Sequence, residues 1–282
     1  MKKILVPTDF SPEAENALQV AAHLAKKHNA EIYLTHMLDL PMDLIDPMSD
    51  GSASDLPEAI FFMKLARKRF DEILSKDYLQ GISVHETVDF YDAFDGIIAV
   101  SQEKECDVII MGSRGASGLR EIFIGSNTEK VVRQSPIPVM VIKNEHKEKF
   151  DIQKFVFATG FNMDTVETCR AAKAFAENLN ASFEILSINI SGKFKTSGEI
   201  QERINTFLVA LGDTNVKVTI YNDKSIEKGI IHYANDNAVD MVGISTHGRK
   251  GIAHFFNASL SQSMVNHAKR PVVTFKINAE SA

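Results

Sequence analysis

Residues 107–142 read DVIIMGSRGASGLREIFIGSNTEKVVRQSPIPVMVI, and residues 240–275 read DMVGISTHGRKGIAHFFNASLSQSMVNHAKRPVVTF. The two segments align without a gap, Asp107 on Asp240 and Pro138 on Pro271. Each opens on an apolar run and closes on another. Fully apolar runs such as VIIM are expected where helices cover both faces of a parallel sheet. Each segment therefore reads as a strand, a loop, a helix and a last strand, and the repetition has to be weighed before function.

Upstream of residue 107 the same grammar holds. KKILVPTD is a strand, SPEAENALQVAAHLAKKHN a helix and AEIYLTHML a strand. Ser11 is the expected N-cap, Pro12 takes the first helical position, and Leu18, Ala21, Ala22 and Ala25 share one face. Further helices are expected near 57–78, 93–104 and 123–134, with strands at ISVHETVD, DVIIMG and PVMVIK. Parallel strands require crossovers, and helices supply them here. The pattern starts again at Lys154, where residues 154–189 repeat the strand, helix and strand of residues 2–37, with Asn29-Ala30 matched by Asn180-Ala181. The charged stretch NEHKEKFD, residues 144–151, is the natural boundary. The fold class is α/β, two tandem doubly wound domains over 1–146 and 151–282, each a five-stranded parallel sheet flanked by helices.

Composition narrows the function classes. A chain of 282 residues, 44% apolar and 24% charged, fits two globular domains. No apolar run approaches the roughly 20 residues of a membrane helix, and ILV before Pro7 is too short for a secretory signal, so a cytoplasmic protein without membrane partners is expected. The net charge of -6, with scattered lysine and arginine, argues against binding duplex nucleic acid. Cys106 and Cys169 lie in opposite halves with no CxxC and read as ordinary reduced thiols.

The chemistry concentrates in the first copy. Gly112, Gly115, Gly125 and Ser126 give the spacing GxxG, nine residues, then GS, directly after a strand. Glycine in such a loop permits positive φ and lets a ligand approach backbone N–H groups. The helix SNTEKVVRQ begins at the end of the loop, and its N-terminus offers unpaired N–H groups to an anion, with a hydroxyl from Ser126 or Thr128. The motif is neither the GxxxxGK[ST] loop nor a dinucleotide GxGxxG. Arg114 and Arg120 either neutralise phosphate charge or face water.

Asp9 closes the first strand. If the strand order reverses between the first and fourth strands, Asp9 and the glycine loop flank the crevice where open sheets bind ligands. A carboxylate there suits a ribose hydroxyl or a metal ion on phosphates, and not phosphate itself. The alternative is that Asp9 caps the first helix, alone or with Ser11.

VPTDFS, LTHM and GSRGxSGxxxxxxGS before PVMVI together resemble the universal stress protein family, and the resemblance covers nearly the whole chain. It implies strand order 3-2-1-4-5, ATP bound by the subgroup that carries the glycine motif, and domains paired through their last strands. Carried over by position, it assigns Gly112, Gly115, Gly125 and Ser126 to ribose and phosphates, with Arg114, Asn127 and Thr128 beside them. It assigns Asp9 to the nucleoside or to magnesium carried by ATP, and the backbone near Met37 to adenine, with Pro7 and Thr8 lining the first turn. Functions in the family are usually binding and signalling under stress, and catalysis, where present, is slow.

The second copy departs from the pattern where the chemistry sits. Gly160 stands for Asp9, Ser245 for Gly112 and Ala258 for Gly125, while Gly248 and Ser259 persist. Each change adds a Cβ or removes a carboxylate, so weaker nucleotide binding or none is expected there. His247, Arg249 and Lys250 form an anion site or a solvated loop. Residues 39–57, rich in aspartate and proline, form a long loop, either a lid over the nucleotide or a mobile acidic segment. His36 is polar lining or core, and it lacks spaced partners for a metal site. No Ser/His/Asp triad is legible.

The last strands, IPVMVI and RPVVTFKI, would expose pairing edges, which the two halves cover economically by pairing with each other. A homodimer through other surfaces and unknown protein partners stay open. Three functions remain: an ATP-binding module in stress response or signalling, a slow ATPase or phosphotransferase, and an interaction scaffold with a vestigial site. The first is preferred, because no general base is evident beside the glycine loop.

Overall fold

The computed structural model describes residues 1–38, 56–90, 92–113, 125–143, 150–247, 264 and 270–277. Five strands of the first half are β1 Lys3–Pro7, β2 Glu31–Met37, β3 Val84–Asp89, β4 Val108–Gly112 and β5 Val139–Ile142. Those of the second half are β6 Lys154–Ala158, β7 Ser182–Ile190, β8 Lys217–Asp223, β9 Met241–Thr246 and β10 Val272–Lys276. All ten belong to one sheet, ordered β3-β2-β1-β4-β5-β10-β9-β6-β7-β8. Each half follows the order 3-2-1-4-5. The strands are parallel within each half, and the β5–β10 junction is antiparallel, Val141 opposite Val272 and Val139 opposite Thr274. The two apolar edges therefore close on each other, which removes the exposed pairing groups that the sequence left on the outer strands.

Helices α1 Pro12–His28, α2 Leu56–Leu74, α3 Ala93–Glu103, α4 Ser126–Gln134, α5 Val166–Asn178, α6 Ser197–Leu211 and α7 Ile226–Asp236 cover both faces. The pleat of β1 shows how. Ile4 and Val6 pack with Leu18 and Ala21 of α1 in one core, while Leu5 packs with Ile97 of α3 and Val131 of α4 in the other. Helix α1 forms as its signals dictate: the Ser11 hydroxyl accepts the Ala14 N–H, and Asn29, left-handed at φ 51°, returns its N–H to the Ala25 carbonyl. The helix expected near 123–134 opens at Ser126, and the one expected at 57–78 ends at Leu74, followed by a separate 3-10 turn at Asp77–Leu79.

Cys106 and Cys169 are free and buried. Burial pushes their thiols up to about 11 and about 12, well away from a reactive thiolate. No described helix is long and apolar enough to cross a membrane.

Candidate functional site

The strand order places β1 beside β4, the point where the winding of the first half reverses. Beyond the carboxyl ends of these strands lies a crevice of about 370 Å³. It is the position at which open α/β sheets hold ligands. Pro7, Thr8, Asp9, Met37, Gly112, Gly125, Ser126, Asn127 and Thr128 all line it. Of the site residues expected from sequence, Arg114 and Gly115 lie outside the described residues, as do Arg120, Ala258, the segment His247 leads into, and residues 39–55 of the loop expected over 39–57, whose last two residues already belong to α2.

The floor is the turn after β1. The Thr8 N–H donates to the Thr35 carbonyl at 2.8 Å, extending the ladder by one step. The chain then lifts off the sheet: Phe10 is left-handed at φ 62°, and its N–H goes to the Thr8 hydroxyl at 3.0 Å. The same turn recurs in the second half, with Phe161 at φ 58° and its N–H on the Thr159 hydroxyl at 3.2 Å. Strain of this kind often marks a functional site. Its recurrence beside Gly160, where the carboxylate is gone, makes it a device of the fold instead.

Asp9 sits in that turn and is partly buried. Its Oδ1 accepts from the Ser11 N–H at 3.1 Å and from the Ser11 hydroxyl at 2.6 Å, and the Ser11 hydroxyl in turn accepts the Ala14 N–H. Ser11 is thus the cap, and Asp9 orients it. The two readings of Asp9 are compatible, since it lines the crevice while one oxygen serves the helix start.

The wall formed by β2 follows from strand alternation. Glu31 donates to Lys2, and Thr35 accepts from Thr8, while Ile32 donates to Ser83 and Leu38 to Asp89. Odd-numbered residues of β2 therefore turn their backbone groups toward β1 and even-numbered ones toward β3. Met37 is odd-numbered, and at its level β1 has already ended in the turn, with the Phe10 N–H committed to Thr8. Its N–H and carbonyl consequently face the crevice. Next to them, His36 Nδ1 stands 2.8 Å from the Thr8 carbonyl. A carbonyl only accepts, so Nδ1 carries a hydrogen and the ring is fixed by it, packed 4.5 Å from the Phe10 ring. His36 is a lining residue.

The opposite wall is the start of α4. The Gly125 N–H donates to the Ser113 carbonyl at 3.0 Å, which brings together the two ends of the 114–124 connection. Gly125 is the N-cap at φ -61° and ψ 144°, with no side chain to accept from the helix. The first helical bond is that of Glu129 to the Gly125 carbonyl, so the N–H groups of Ser126, Asn127 and Thr128 have no intrahelical acceptor. Ser11, Asp92, Thr196 and Ser225 cap α1, α3, α6 and α7 with side-chain oxygens. At α4 that acceptor is withheld on the crevice side.

Two expectations are corrected here. Of the two grounds for glycine in the loop, positive φ does not apply to Gly112 or Gly125, neither of which is among the described glycines with positive φ. Gly112 is needed for packing: a Cβ on it would stand 2.8 Å from the Glu13 carbonyl carbon and oxygen at the start of α1. Of the two hydroxyls expected to serve a ligand, Ser126 or Thr128, that of Thr128 is buried and donates to the Gly112 carbonyl at 3.1 Å, while Ser126 stays exposed on the crevice. Sequence reading also missed Asp92, Ala93, Ile97 and Met111, which complete the crevice. Asp92 was visible as a cap before a helix, at the carboxyl end of β3 where every connection faces the same side of the sheet.

In the second half the equivalent space is built differently. Ser245, in place of Gly112, bonds its hydroxyl to that of Thr168 at 2.7 Å, and Thr168 also donates to the Thr165 carbonyl at 2.9 Å. The chain enters α5 through a 3-10 turn at Met163–Thr165, where α1 starts directly. A hydroxyl cluster thus occupies the strand-to-helix contact that the bare Gly112 makes in the first half.

Taken together, these features define a doubly wound α/β protein with one crevice at the switch point of its first half. The sequence model of the universal stress protein family matches residues 1–143 and 191–276, and the chain belongs to that family. Universal stress protein Slr1230 of Synechocystis is 24% identical over 98% of this chain and 100% of its own length. Universal stress protein MJ0531 of Methanocaldococcus jannaschii is 30% identical over 52% of this chain and 85% of its own length. A universal stress protein from Archaeoglobus fulgidus, known from a crystal structure, has the same fold, with a TM-score of 0.72, 21% identity and 98% coverage of both chains.

Proposed function

We propose that the first half binds ATP and that the chain acts as a nucleotide-dependent module in stress response or signalling, organised as domains 1–146 and 151–282. The observation that carries this reading is the uncapped start of α4, whose three N–H groups face the same crevice as Met37 and Asp9. A helix N-terminus stabilises an adjacent anion by about 0.3–1 kcal/mol, and by up to about 2 when partly buried, so phosphates belong at Ser126 to Thr128. The Met37 N–H and carbonyl offer one donor and one acceptor, the pair an adenine edge needs. Arg114 and Gly115 fall in the connection between Ser113 and Gly125, outside the described residues, and are assigned to the phosphates by their place in the motif.

Between these ends, Asp9 and Asp92 supply carboxylates suited to ribose hydroxyls or to magnesium. Among the described residues no group of three potential ligands could hold a metal unaided, so magnesium would arrive on the phosphates, where it screens their charge.

Incubation of the chain with labelled ATP tests the reading. Saturable binding that is lost in Gly115→Val, with no ADP formed above that control, is the expected result. Absence of binding overturns it, and accumulating ADP would make the chain a slow ATPase or phosphotransferase.

A further inference from the structure

The second half has a cavity of its own, about 60 Å³, at the carboxyl ends of β6, β7 and β8. No carboxylate lines it, whereas Lys193, Lys195 and Arg203 do. Gly160, in the sequence position of Asp9, forms part of the wall. The Arg203 guanidinium donates to the Gly160 carbonyl at 2.9 Å and to Asn162 Oδ1 at 2.9 Å. Both acceptors are neutral, and no ion pair among the described residues includes Arg203. Where the first half keeps a carboxylate, the second brings a cation, so the sign of the site is reversed.

The arrangement is held from both sides. Thr196 and Glu199 form a capping box that fixes the start of α6, and Ile200 and Arg203, one turn apart on that helix, both reach the cavity. The Lys195 N–H donates to Asn189 Oδ1 at 3.2 Å, which fastens the segment carrying Lys193 and Lys195 to the end of β7. Burial, followed by the charge of Arg203, lowers the Lys195 amine, with Glu199 acting in the opposite direction. The remaining wall is branched hydrocarbon from Ile188, Ile200, Ile220 and Ile226.

The geometry points to a second ligand site, for a small organic acid whose anionic head meets Arg203 and Lys195 and whose apolar body lies among Ile188, Ile200, Ile220 and Ile226. The volume corresponds to about five water-sized positions, and the adjoining opening that shares Phe161, Asn162 and Arg203 carries the carboxylates of Asp164 and Glu202, which repel a polyanion such as a nucleoside triphosphate. An anion gains from two cations in a partly desolvated pocket, while the isoleucine wall rewards an apolar body and not a second charge.

The test is a titration of the full chain, labelled at isoleucine methyls, with benzoate, with its uncharged analogue benzyl alcohol and with AMP, followed by NMR. Saturable shifts of the Ile188, Ile200, Ile220 and Ile226 methyls are expected with benzoate, with benzyl alcohol and AMP each at least about tenfold weaker. Arg203→Gln and Lys195→Gln should each weaken benzoate by about tenfold, and Lys195→Gln leaves the Gly160 and Asn162 contacts in place should Arg203→Gln unfold the region. No shift with benzoate, equal shifts with benzyl alcohol, tighter binding of AMP, or full binding by the Lys195→Gln variant would overturn the proposal. Neither variant touches the first-half crevice, so ATP binding is read separately on the same samples.

Discussion

The Thr128 hydroxyl donates to the carbonyl of Gly112 at 3.1 Å, across sixteen residues of sequence. This bond ties the first turn of α4 to the last residue of β4 and so aims the helix start at the crevice. The Thr128 hydroxyl is spent on architecture, and the donors left for a ligand at the start of α4 are the backbone N–H groups and the side chains of Ser126 and Asn127. Thr128→Val keeps the shape and removes the donor, leaving a buried carbonyl unpaired. It should lower stability by about 1–3 kcal/mol in urea denaturation and weaken ATP, because α4 loses its alignment.

Gly125 separates binding from stability. Its φ of -61° and ψ of 144° suit any residue, so an aspartate there would cap α4 at no backbone cost. Gly125→Asp should raise stability by about a few tenths of a kcal/mol, while the new carboxylate occupies the N–H groups and repels phosphate. ATP affinity should fall by about tenfold or more. Thermal unfolding and calorimetry on one preparation check the opposite signs, and a fall in both would show the glycine to be structural.

Asp9 has a structural oxygen and a charge, which two substitutions divide. Asp9→Asn retains an oxygen for the Ser11 N–H and hydroxyl and should stay within about 0.5 kcal/mol of the parent. Asp9→Ala leaves Ser11 without its acceptor and should lose about 1 kcal/mol. Equal loss of magnesium-dependent ATP binding in both variants is expected if the charge is what the ligand meets.

Acid sensitivity should centre on Glu184 of β7, which is 3% exposed. Burial alone would raise its carboxyl, but hydrogen bonds from Thr219 at 2.5 Å, Tyr233 at 2.5 Å and Lys217 at 3.1 Å outweigh it and hold the group below its ordinary range. A depressed folded-state value contributes stability above the unfolded value of 4.5, and that stability is lost as pH falls through the folded one. Glu184→Gln should cost about 1–3 kcal/mol at neutral pH and flatten the acid limb of the stability curve below about pH 5.

The architecture was legible because its signals are local and repeat. Apolar runs gave the strands, Ser11, Pro12 and Asn29 bounded α1, and the gapless match of residues 107–142 to 240–275 gave two copies. What was not legible depends on contacts between distant elements. Gly112 attracted attention as a ligand-facing residue, but its constraint comes from Glu13 on another element, and no spacing in the sequence shows which backbone will be 2.8 Å away. Thr128 read as a free hydroxyl because its acceptor is a carbonyl brought near by folding. Asp92 and Ala93 were overlooked because only the sheet order sets the β3–α3 connection beside β1. Arg203 was missed for the same reason: α6 delivers it to Gly160 from forty-three residues away.

The inequality of the two halves is the central claim, and calorimetric titration of the full chain with ATP and magnesium addresses it most directly. The account predicts one ATP per chain, weakened about tenfold or more by Gly125→Asp and unchanged by Lys195→Gln. Two ATP per chain, or one that keeps its affinity in Gly125→Asp and disappears with Lys195→Gln, would contradict it.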